Sequence, residues 1–293
     1  MKPKAFDYYR PTTVRETLEL LEQYGDDGKL LAGGQSLIPM MNFRLVQPLV
    51  LIDINRVEEL NHLTDTEEGA VFVGATVRER RLEQSVPVME RYPLLAQALP
   101  YIGHLAIRNR GTIGGSLVQA DPSGELPLAT VMLDGILHVQ GSNGVRQVPA
   151  EEFFMTYLTV DVDPAELLIG VEYPKQEVAS WAFEEYAQRR GDFALVSAAV
   201  GIRLDQDGRV EFARFGVGGA NPTPTRIAPV EEALLGQVPT EKLIQEVMEL
   251  AATEVEPDSD VHASADYRRQ LVRALGHRAI FRAIESTSKA VLK

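Results

Sequence analysis

The sequence contains no cysteine, so this chain can form no disulfide, no thiolate nucleophile and no cysteine-held iron–sulfur cluster. Histidine is scarce too, and its five residues are scattered without the paired or clustered spacing of a zinc site. A G-x-S-x-G nucleophile elbow is also missing. We therefore assign no metal, no general base and no nucleophile to this chain.

Basic residues are outnumbered by acidic ones, and long apolar runs are absent. The 29 lysines and arginines face 42 acids, a net charge of −13 that opposes non-specific binding to nucleic acid or to an anionic membrane. No apolar run approaches the roughly 20 residues that cross a bilayer. The N-terminal segment MKPKAFDYYRPTT lacks the apolar core of a signal peptide. We expect a cytoplasmic protein.

What is present predicts a globular α+β protein. Its 293 residues favour two or three packed lobes, and 45% hydrophobic with 24% charged residues is typical of soluble proteins. Periodicity and turn signals predict a helix over 13–24, strands at 30–32, 48–54, 70–75 and 166–174, a helix or two short turns over 93–103, and a hairpin over 131–148. Three strands after residue 180 precede helices that dominate from about residue 229.

Two groups of charged residues have open interpretations. The predicted helix over 264–286 carries an apolar face, and its basic residues lie away from that face. This basic face is either solvated or a docking surface for an acidic partner. Two acid pairs, Glu151-Glu152 and Glu184-Glu185, are predicted to be solvated rather than catalytic.

Two glycine-rich segments are the features that suggest binding. LLAGGQSLIPMM (30–41) interrupts an apolar strand with Gly33 and Gly34, and GTIGGS (111–116) cannot be an ordinary helix or central strand. Exposed backbone N–H groups of such loops bind phosphate, and Ser36 and Thr112 add hydroxyl groups. Each segment alone is equally consistent with a structural turn or bulge. Together they suit the two sides of a diphosphate, as in a dinucleotide.

A Rossmann nicotinamide site is not indicated. The G-x-G-x-x-G pattern is absent, and its nearest approximation, GVGGAN (216–221), ends in asparagine and is followed by PTPT where a helix would begin. We interpret that segment as a strand end and a turn.

The two segments carry a family resemblance. AGGQSLIPMMNFRLVQPLVLIDI, followed by IRNRGTIGGSLVQADPSGELPL, resembles the FAD-binding medium subunit of molybdenum hydroxylases, the carbon monoxide dehydrogenase and xanthine dehydrogenase group. RRGDFALVSAAV (189–200) and DYRRQLVRAL (266–275) resemble its C-terminal domain, so nearly the whole chain is covered.

The resemblance implies a vanillyl-alcohol-oxidase (PCMH)-type FAD fold of two subdomains, 1–57 and 58–176, and a C-terminal α+β domain, 177–293, with a three-stranded antiparallel sheet and helices. It also implies which residues bind the cofactor. The implied FAD-binding residues are Ala32, Gly33, Gly34, Gln35, Ser36, Leu37, Thr112, Gly114, Gly115, Ser116, Asp121, Glu125 and Leu168.

The resemblance further implies a role and partners. Electrons would pass from [2Fe-2S] clusters of a small partner subunit through FAD to an external acceptor such as a quinone, NAD or oxygen. A large subunit would hold the molybdenum cofactor, in a dimer of heterotrimers. Two positions depart from the family: Glu125 stands where aspartate is usual, and Gln35 stands where relatives with covalent flavin often have histidine, so we expect non-covalent FAD.

Two alternatives remain open. One is a self-sufficient flavoprotein oxidase of the same fold, and the other is a nucleotide-binding protein without redox chemistry. Arg108 and Arg110 flank the second segment and have either a phosphate-neutralising or a surface role. The substrate of the complex is not readable from this chain.

Overall fold

Strands and helices are interspersed over residues 7–74 of the computed structural model, which describes residues 2–66, 69–176 and 179–291. Helices predominate over 79–132, strands over 136–226, and three helices follow over 228–291. The strands are β1 (Asp7–Tyr9), β2 (Gly28–Leu31), β3 (Val50–Asp53), β4 (Leu63–Asp65), β5 (Val71–Gly74), β6 (Ile136–Gly141), β7 (Gly144–Pro149), β8 (Phe154–Thr156), β9 (Thr159–Val160), β10 (Leu167–Tyr173), β11 (Ser180–Tyr186), β12 (Val196–Leu204), β13 (Val210–Gly218) and β14 (Thr225–Arg226). The helices are α1 (Val14–Tyr24), α2 (Leu37–Asn42), α3 (Glu79–Glu83), α4 (Val86–Arg91), α5 (Pro93–Ala98), α6 (Leu105–Arg108), α7 (Ile113–Gln119), α8 (Glu125–Met132), α9 (Ala150–Phe153), α10 (Ala228–Leu234), α11 (Glu241–Thr253) and α12 (Ala265–Val291).

These elements form two units. The first comprises Met1–Ser85, His104–Gln119 and Asp134–Lys175, and the second comprises Val86–Gly103, Ala120–Leu133 and Gln176–Lys293. The three-part division predicted from the sequence, with boundaries after residues 57 and 176, stays a prediction. In the described part of the chain, no helix combines the length and the apolar character needed to cross a membrane.

The first unit contains two larger sheets and the two-stranded sheet β8-β9. A parallel sheet has the order β1-β3-β2, and an antiparallel sheet has the order β4-β5-β10-β6-β7. The helix predicted over residues 13–24 is confirmed as α1. Thr13 caps its N-terminus, since the Thr13 hydroxyl accepts a hydrogen bond from the backbone N–H of Glu16 at 3.1 Å. Leu31 pairs with Asp53 at the carboxyl ends of β2 and β3, so the segments that follow these strands begin at one edge of the sheet.

The second unit is built on an antiparallel sheet of order β11-β12-β13-β14. The predicted three strands are present, and the short β14 adds a fourth beside β13. Helix α12 packs on β11 and β12 through its predicted apolar face, whose residues are all buried: Val272, Leu275, Ala279, Ile280 and Ala283. The strand end and turn predicted for 216–221 are confirmed, since β13 ends at Gly218.

Four basic residues on the polar side of α12 are paired with acids of the second unit. Arg273 lies 2.7 Å from Glu249, and the ring of His277 lies 3.0 Å from Glu241. Arg269 pairs with Asp266 and Arg282 with Glu184. Because the chain's own carboxylates already partner these groups, the solvated-face interpretation is favoured over a docking surface for an acidic partner.

Two predictions about local structure are wrong. GTIGGS was expected to exclude a helix, but α7 begins at Ile113 and contains Gly114 and Gly115. A Cβ on Gly114 would lie 2.6 Å from the Cβ of Ala75, so close packing requires glycine there and outweighs the roughly 1 kcal/mol helix cost of the residue. The hairpin expected over 131–148 starts only at Ile136, because α8 continues to Met132; its Asn143-Gly144 turn is confirmed.

Candidate functional site

The first glycine segment, Ala32–Leu37, connects β2 to α2. Gly34 has a φ of +72°, in the left-handed region that glycine adopts without strain. Among the described residues, the backbone N–H groups of Gly34, Gln35 and Ser36 donate to no protein acceptor, and the Ser36 side chain does not cap α2. The segment therefore presents three backbone donors and one hydroxyl group to a ligand.

The second glycine segment enters α7 from an isolated β-bridge between Arg78 and Thr112. The Thr112 hydroxyl oxygen accepts a hydrogen bond from the N–H of Gly115 at 3.1 Å, and Thr112 is buried. Gly114 donates its N–H to the carbonyl oxygen of Ala75 at 2.9 Å. Gly115 is exposed and Ser116 is half-buried, so these two residues form the accessible part of the segment.

The structure brings the two glycine segments into direct contact. A Cβ placed on Gly33 would lie 2.6 Å from the carbonyl oxygen of Arg110 and 2.9 Å from the Cα of Gly111. A Cβ on Gly115 would lie 3.9 Å from the Cβ of Ala32. The two segments, far apart in sequence, therefore form one continuous surface of the first unit.

Leu168 also belongs to the first unit, in β10, where it pairs with Val139 just before a bulge. Its side chain is buried, with 4% exposed. Its predicted contact with a flavin stays a prediction.

Asp121 and Glu125 belong to the second unit. Asp121 accepts a hydrogen bond from the N–H of Ser123 at 2.9 Å, and burial raises the pKa of its carboxyl group. Glu125 is the first residue of α8. Their predicted roles in FAD binding stay predictions.

The prediction that both acid pairs are solvated holds for Glu151 and Glu152, which are exposed, and is wrong for the other pair. Glu184 pairs with Arg282, and Glu185 has a buried carboxylate oxygen with no hydrogen-bond partner among the described residues. Burial, followed by the charge of Glu125, raises the pKa of Glu185 to about 8. Strand periodicity alone does not show this burial, because it depends on elements distant in the sequence, such as α8 with Glu125.

Arg108 is a structural cation rather than a surface group. It is buried, and its Nε lies 3.1 Å from Glu83. Burial alone raises the pKa of Glu83, but hydrogen bonds from Arg80 and Arg108 outweigh it and hold this pKa below its ordinary value. Arg110 contributes its carbonyl oxygen to the contact between the glycine segments, while its side chain is exposed.

Sequence reasoning missed three polar residues behind the glycine segments: Asp53, Asn55 and Arg78. Asn55 donates to the carbonyl oxygen of Ala32 at 2.9 Å, and Arg78 donates to the carbonyl oxygen of Arg110. One signal was available, because Asp53-x-Asn55 follows a parallel strand at the same sheet edge as the first glycine segment.

The donor set fits a diphosphate better than a metal or an apolar ligand. It consists of the unused backbone N–H groups of the first segment and the hydroxyl groups of Ser36 and Ser116, which are hydrogen-bond donors to phosphate oxygens. An α+β scaffold with such donors on two touching segments is typical of a protein that binds a dinucleotide cofactor.

Comparison with known proteins identifies the cofactor class. Residues 4–176 match the FAD binding domain in molybdopterin dehydrogenase, and residues 181–283 match the CO dehydrogenase flavoprotein C-terminal domain. The chain belongs to this family of oxidoreductase flavoproteins and therefore carries an FAD-binding domain with the PCMH-type fold.

Individual relatives match over almost their whole length. The 6-hydroxypseudooxynicotine dehydrogenase complex subunit alpha of Paenarthrobacter nicotinovorans is 36% identical, over 97% of this chain and 96% of that protein. The carbon monoxide dehydrogenase medium chain of Hydrogenophaga pseudoflava is also 36% identical, over 96% and 97%. A chain of the crystal structure of quinoline 2-oxidoreductase from Pseudomonas putida 86 superposes with a TM-score of 0.94 at 36% identity, over 98% of this chain and 99% of that chain.

Proposed function

We propose that this chain binds FAD non-covalently at the two touching glycine segments and serves as the electron-transfer subunit of a molybdenum hydroxylase. The observation that carries the proposal is the contact of these segments in the first unit, with backbone donors left unused. FAD, when bound, supplies the redox chemistry, accepting electrons and passing them on.

The residues of the chain would bind and orient the cofactor. The N–H groups of Gly34, Gln35 and Ser36 would face one phosphate, and the Ser116 hydroxyl, beside the exposed Gly115, would face the other. The net charge of −13 does not prevent this, because charges beyond about 8 Å are largely screened at physiological ionic strength. Local donors therefore decide the affinity.

Non-covalent attachment follows from Gln35. Its amide nitrogen donates to the carbonyl oxygen of Gly33 at 3.0 Å, so the side chain supports its own loop. A carboxamide is not a nucleophile that forms a bond to a flavin. The cofactor would be held by hydrogen bonds and packing alone.

The proposed partners are a large subunit with the molybdenum cofactor and a small subunit with [2Fe-2S] clusters, in a dimer of heterotrimers. The names of the relatives support a multi-subunit arrangement: one is a complex subunit and another a medium chain. With no cysteine, this chain has no thiolate to hold a cluster, so the clusters belong to a partner. A quinone, NAD or oxygen would accept the electrons.

The substrate would be selected by another subunit. Relatives at the same 36% identity are named for an oxynicotine derivative, carbon monoxide and quinoline, which share little chemistry. If the substrate binds to another subunit, flavoprotein chains can remain this similar although their complexes act on dissimilar substrates. No observation favours the self-sufficient oxidase or the non-redox alternative.

The first experiment is a visible absorption spectrum of the purified full chain before and after acid precipitation. We expect a flavin spectrum, and FAD in the supernatant by mass. A chain that stays colourless after incubation with FAD, alone and with its partner subunits, would refute the proposal. Flavin retained in the pellet would refute its non-covalent part.

A further inference from the structure

We propose that Asn55 and Arg78 are positioning residues that hold the two glycine segments at the spacing the FAD pyrophosphate requires. This inference rests on the proposed function. We call Asn55, Arg78 and Asp53 together the clamp. The clamp lies behind the segments and acts through their carbonyl oxygens rather than by touching the cofactor.

Asn55 holds the first glycine segment. Its side-chain nitrogen donates to the carbonyl oxygen of Ala32 at 2.9 Å, directly before Gly33. The same nitrogen lies 2.5 Å from a carboxylate oxygen of Asp53, which also accepts the backbone N–H of Asn55 at 2.9 Å. The asparagine side chain is therefore fixed in one orientation.

Arg78 holds the second glycine segment. One terminal nitrogen of its guanidinium donates to the carbonyl oxygen of Arg110, and the other donates to the side-chain oxygen of Asn55 at 2.5 Å. The carbonyl of Arg110 is also the group against which Gly33 packs. Arg78 thus fixes the point where the two segments touch.

Asp53 anchors the clamp to the parallel sheet. The hydroxyl of Tyr8, in β1, donates to its carboxylate, and Arg10 lies 3.8 Å away. Burial alone raises the pKa of Asp53, but hydrogen bonds from Tyr8 and Asn55 outweigh it and hold this pKa below its ordinary value. The carboxylate stays charged at neutral pH and a strong acceptor for Asn55.

Fixing the two segments matters because a diphosphate must be met from both sides at once. If the segments were free to separate, ordering them would consume part of the binding free energy. A rigid planar fork such as guanidinium bonds two acceptors in a defined geometry, which a lysine does not do. The clamp therefore contributes affinity through preorganisation.

The test uses the full chain with Asn55→Ala, Arg78→Ala and the double variant, and measures binding of FAD, ADP and riboflavin to each. We expect each single variant to bind FAD and ADP about tenfold more weakly, equivalent to about 1.4 kcal/mol. Riboflavin, which has no phosphate, should change by less than about twofold. The double variant should be little worse than the weaker single variant, because the two residues act as one unit.

The matched control is Arg81→Ala. Arg81 also donates to a backbone carbonyl and an asparagine side chain, both of Asn61, at 3.2 and 3.0 Å, but it has no bond to a glycine segment. The Arg81→Ala variant should bind FAD, ADP and riboflavin as tightly as the wild type does. If Arg78→Ala does not fold, Arg78→Lys replaces it. Lysine keeps the positive charge but lacks the planar guanidinium group, so this variant should show the same loss of FAD and ADP affinity.

The outcomes separate the two proposals. A wild-type chain that binds no FAD refutes the proposed function and the clamp with it. A wild type that binds FAD, with both clamp variants binding ADP equally well, refutes the clamp alone. Loss in Arg78→Ala without loss in Asn55→Ala would also refute it, because it would make Arg78 a direct phosphate ligand. Equal losses for riboflavin and ADP would indicate general damage to the fold and contradict a phosphate-positioning role.

Discussion

Gly33 is the residue at which close backbone packing coincides with the proposed cofactor site. Its nearest neighbours are backbone atoms of Arg110 and Gly111, which cannot rotate away as a side chain can. A methyl group there would push apart the two segments that we propose to hold the pyrophosphate. The glycine is therefore required by the contact between segments as well as by any ligand.

Gly33→Ala should cost about 1–3 kcal/mol of stability, typical of overpacking, and should weaken FAD binding by at least about tenfold. Thermal unfolding of the apoprotein and an FAD titration measure the two effects. Gly28→Ala is the control. Its added methyl group would lie 3.3 and 3.4 Å from side-chain atoms of Tyr24 and Ile52 and 3.5 Å from the carbonyl oxygen of Gly25, which are looser contacts. If Gly33→Ala behaves like Gly28→Ala, the tight contact between the segments is wrong.

Glu185 should make the stability of the chain depend on pH. Its pKa is raised from an ordinary 4.5 to about 8 by burial and then by Glu125. Below pH 4.5 the Glu185 carboxyl group is protonated in both the folded and the unfolded state, and its full contribution to stability is present. Between 4.5 and about 8 only the folded state holds this proton, so stability falls as the pH rises and the contribution is lost above about 8.

Glu185→Gln, which has no proton to release, should therefore unfold at a higher temperature than the wild type at pH 9 and show no such advantage at pH 4.5. After allowance for solvent screening we expect a gain of about 1–2 kcal/mol. Thermal melts across this pH range check it. Glu232→Gln, at an exposed site in the same unit, should follow the wild type at every pH. Parallel curves for Glu185→Gln and wild type would contradict the raised pKa.

At the scale of elements, Arg268 joins α12 to the ends of the sheet in the second unit. This buried residue donates to the carbonyl oxygen of Leu195, before β12, and to that of Gly219, after β13, the latter at 3.1 Å. It also pairs with Asp260 at 2.7 Å. One side chain thus satisfies two backbone acceptors that the sheet leaves unpaired.

Arg268→Leu should destabilise the chain by about 2–4 kcal/mol, because it leaves these two carbonyl groups without this donor and removes the ion pair with the part-exposed Asp260. Denaturant unfolding measures the loss. The adjacent Arg269 has only an exposed pair with Asp266 at 3.3 Å, so Arg269→Leu should cost less than about 0.5 kcal/mol. Similar losses for the two variants would show that the buried contacts contribute little.

Elements with a strong local signal were predictable, and those set by distant packing were not. Helix α1 was predictable because Thr13 and Glu16 have the sequence pattern of a capping box, a signal contained within four residues. Strand β1 was not, because it has three residues and pairs with β3, more than 40 positions later. Helix α7 was excluded on its glycines, although these are the residues that let it approach Ala75.

The same distinction applies to the candidate site. The glycine segments are visible in the sequence because their composition is unusual over a few residues. The clamp is not visible, because Asn55 and Arg78 are ordinary polar residues whose partnership depends on strand register and on a β-bridge at Thr112. Family resemblance supplied the cofactor, whereas composition alone left a turn and a bulge as equal alternatives.

At the scale of the whole molecule, the two matched domains account for residues 4–176 and 181–283. Relatives of the same length are named as subunits or medium chains, and the second unit contains the residues that match the CO dehydrogenase flavoprotein C-terminal domain. We therefore expect the chain to hold a flavin but to lack the means of oxidising an organic substrate by itself.

The FAD-loaded chain alone should keep its flavin absorption under anaerobic conditions with N-heterocycles, purines, aldehydes or carbon monoxide, while dithionite should bleach it. Adding the large and small partner subunits should allow the true substrate to bleach the same band, because the route from substrate to flavin would then be complete. Bleaching by any of these substrates without the partners would establish a self-sufficient oxidase. Dithionite distinguishes a chain that lacks its partners from one whose flavin is inaccessible to reductants, since only the first is bleached by it.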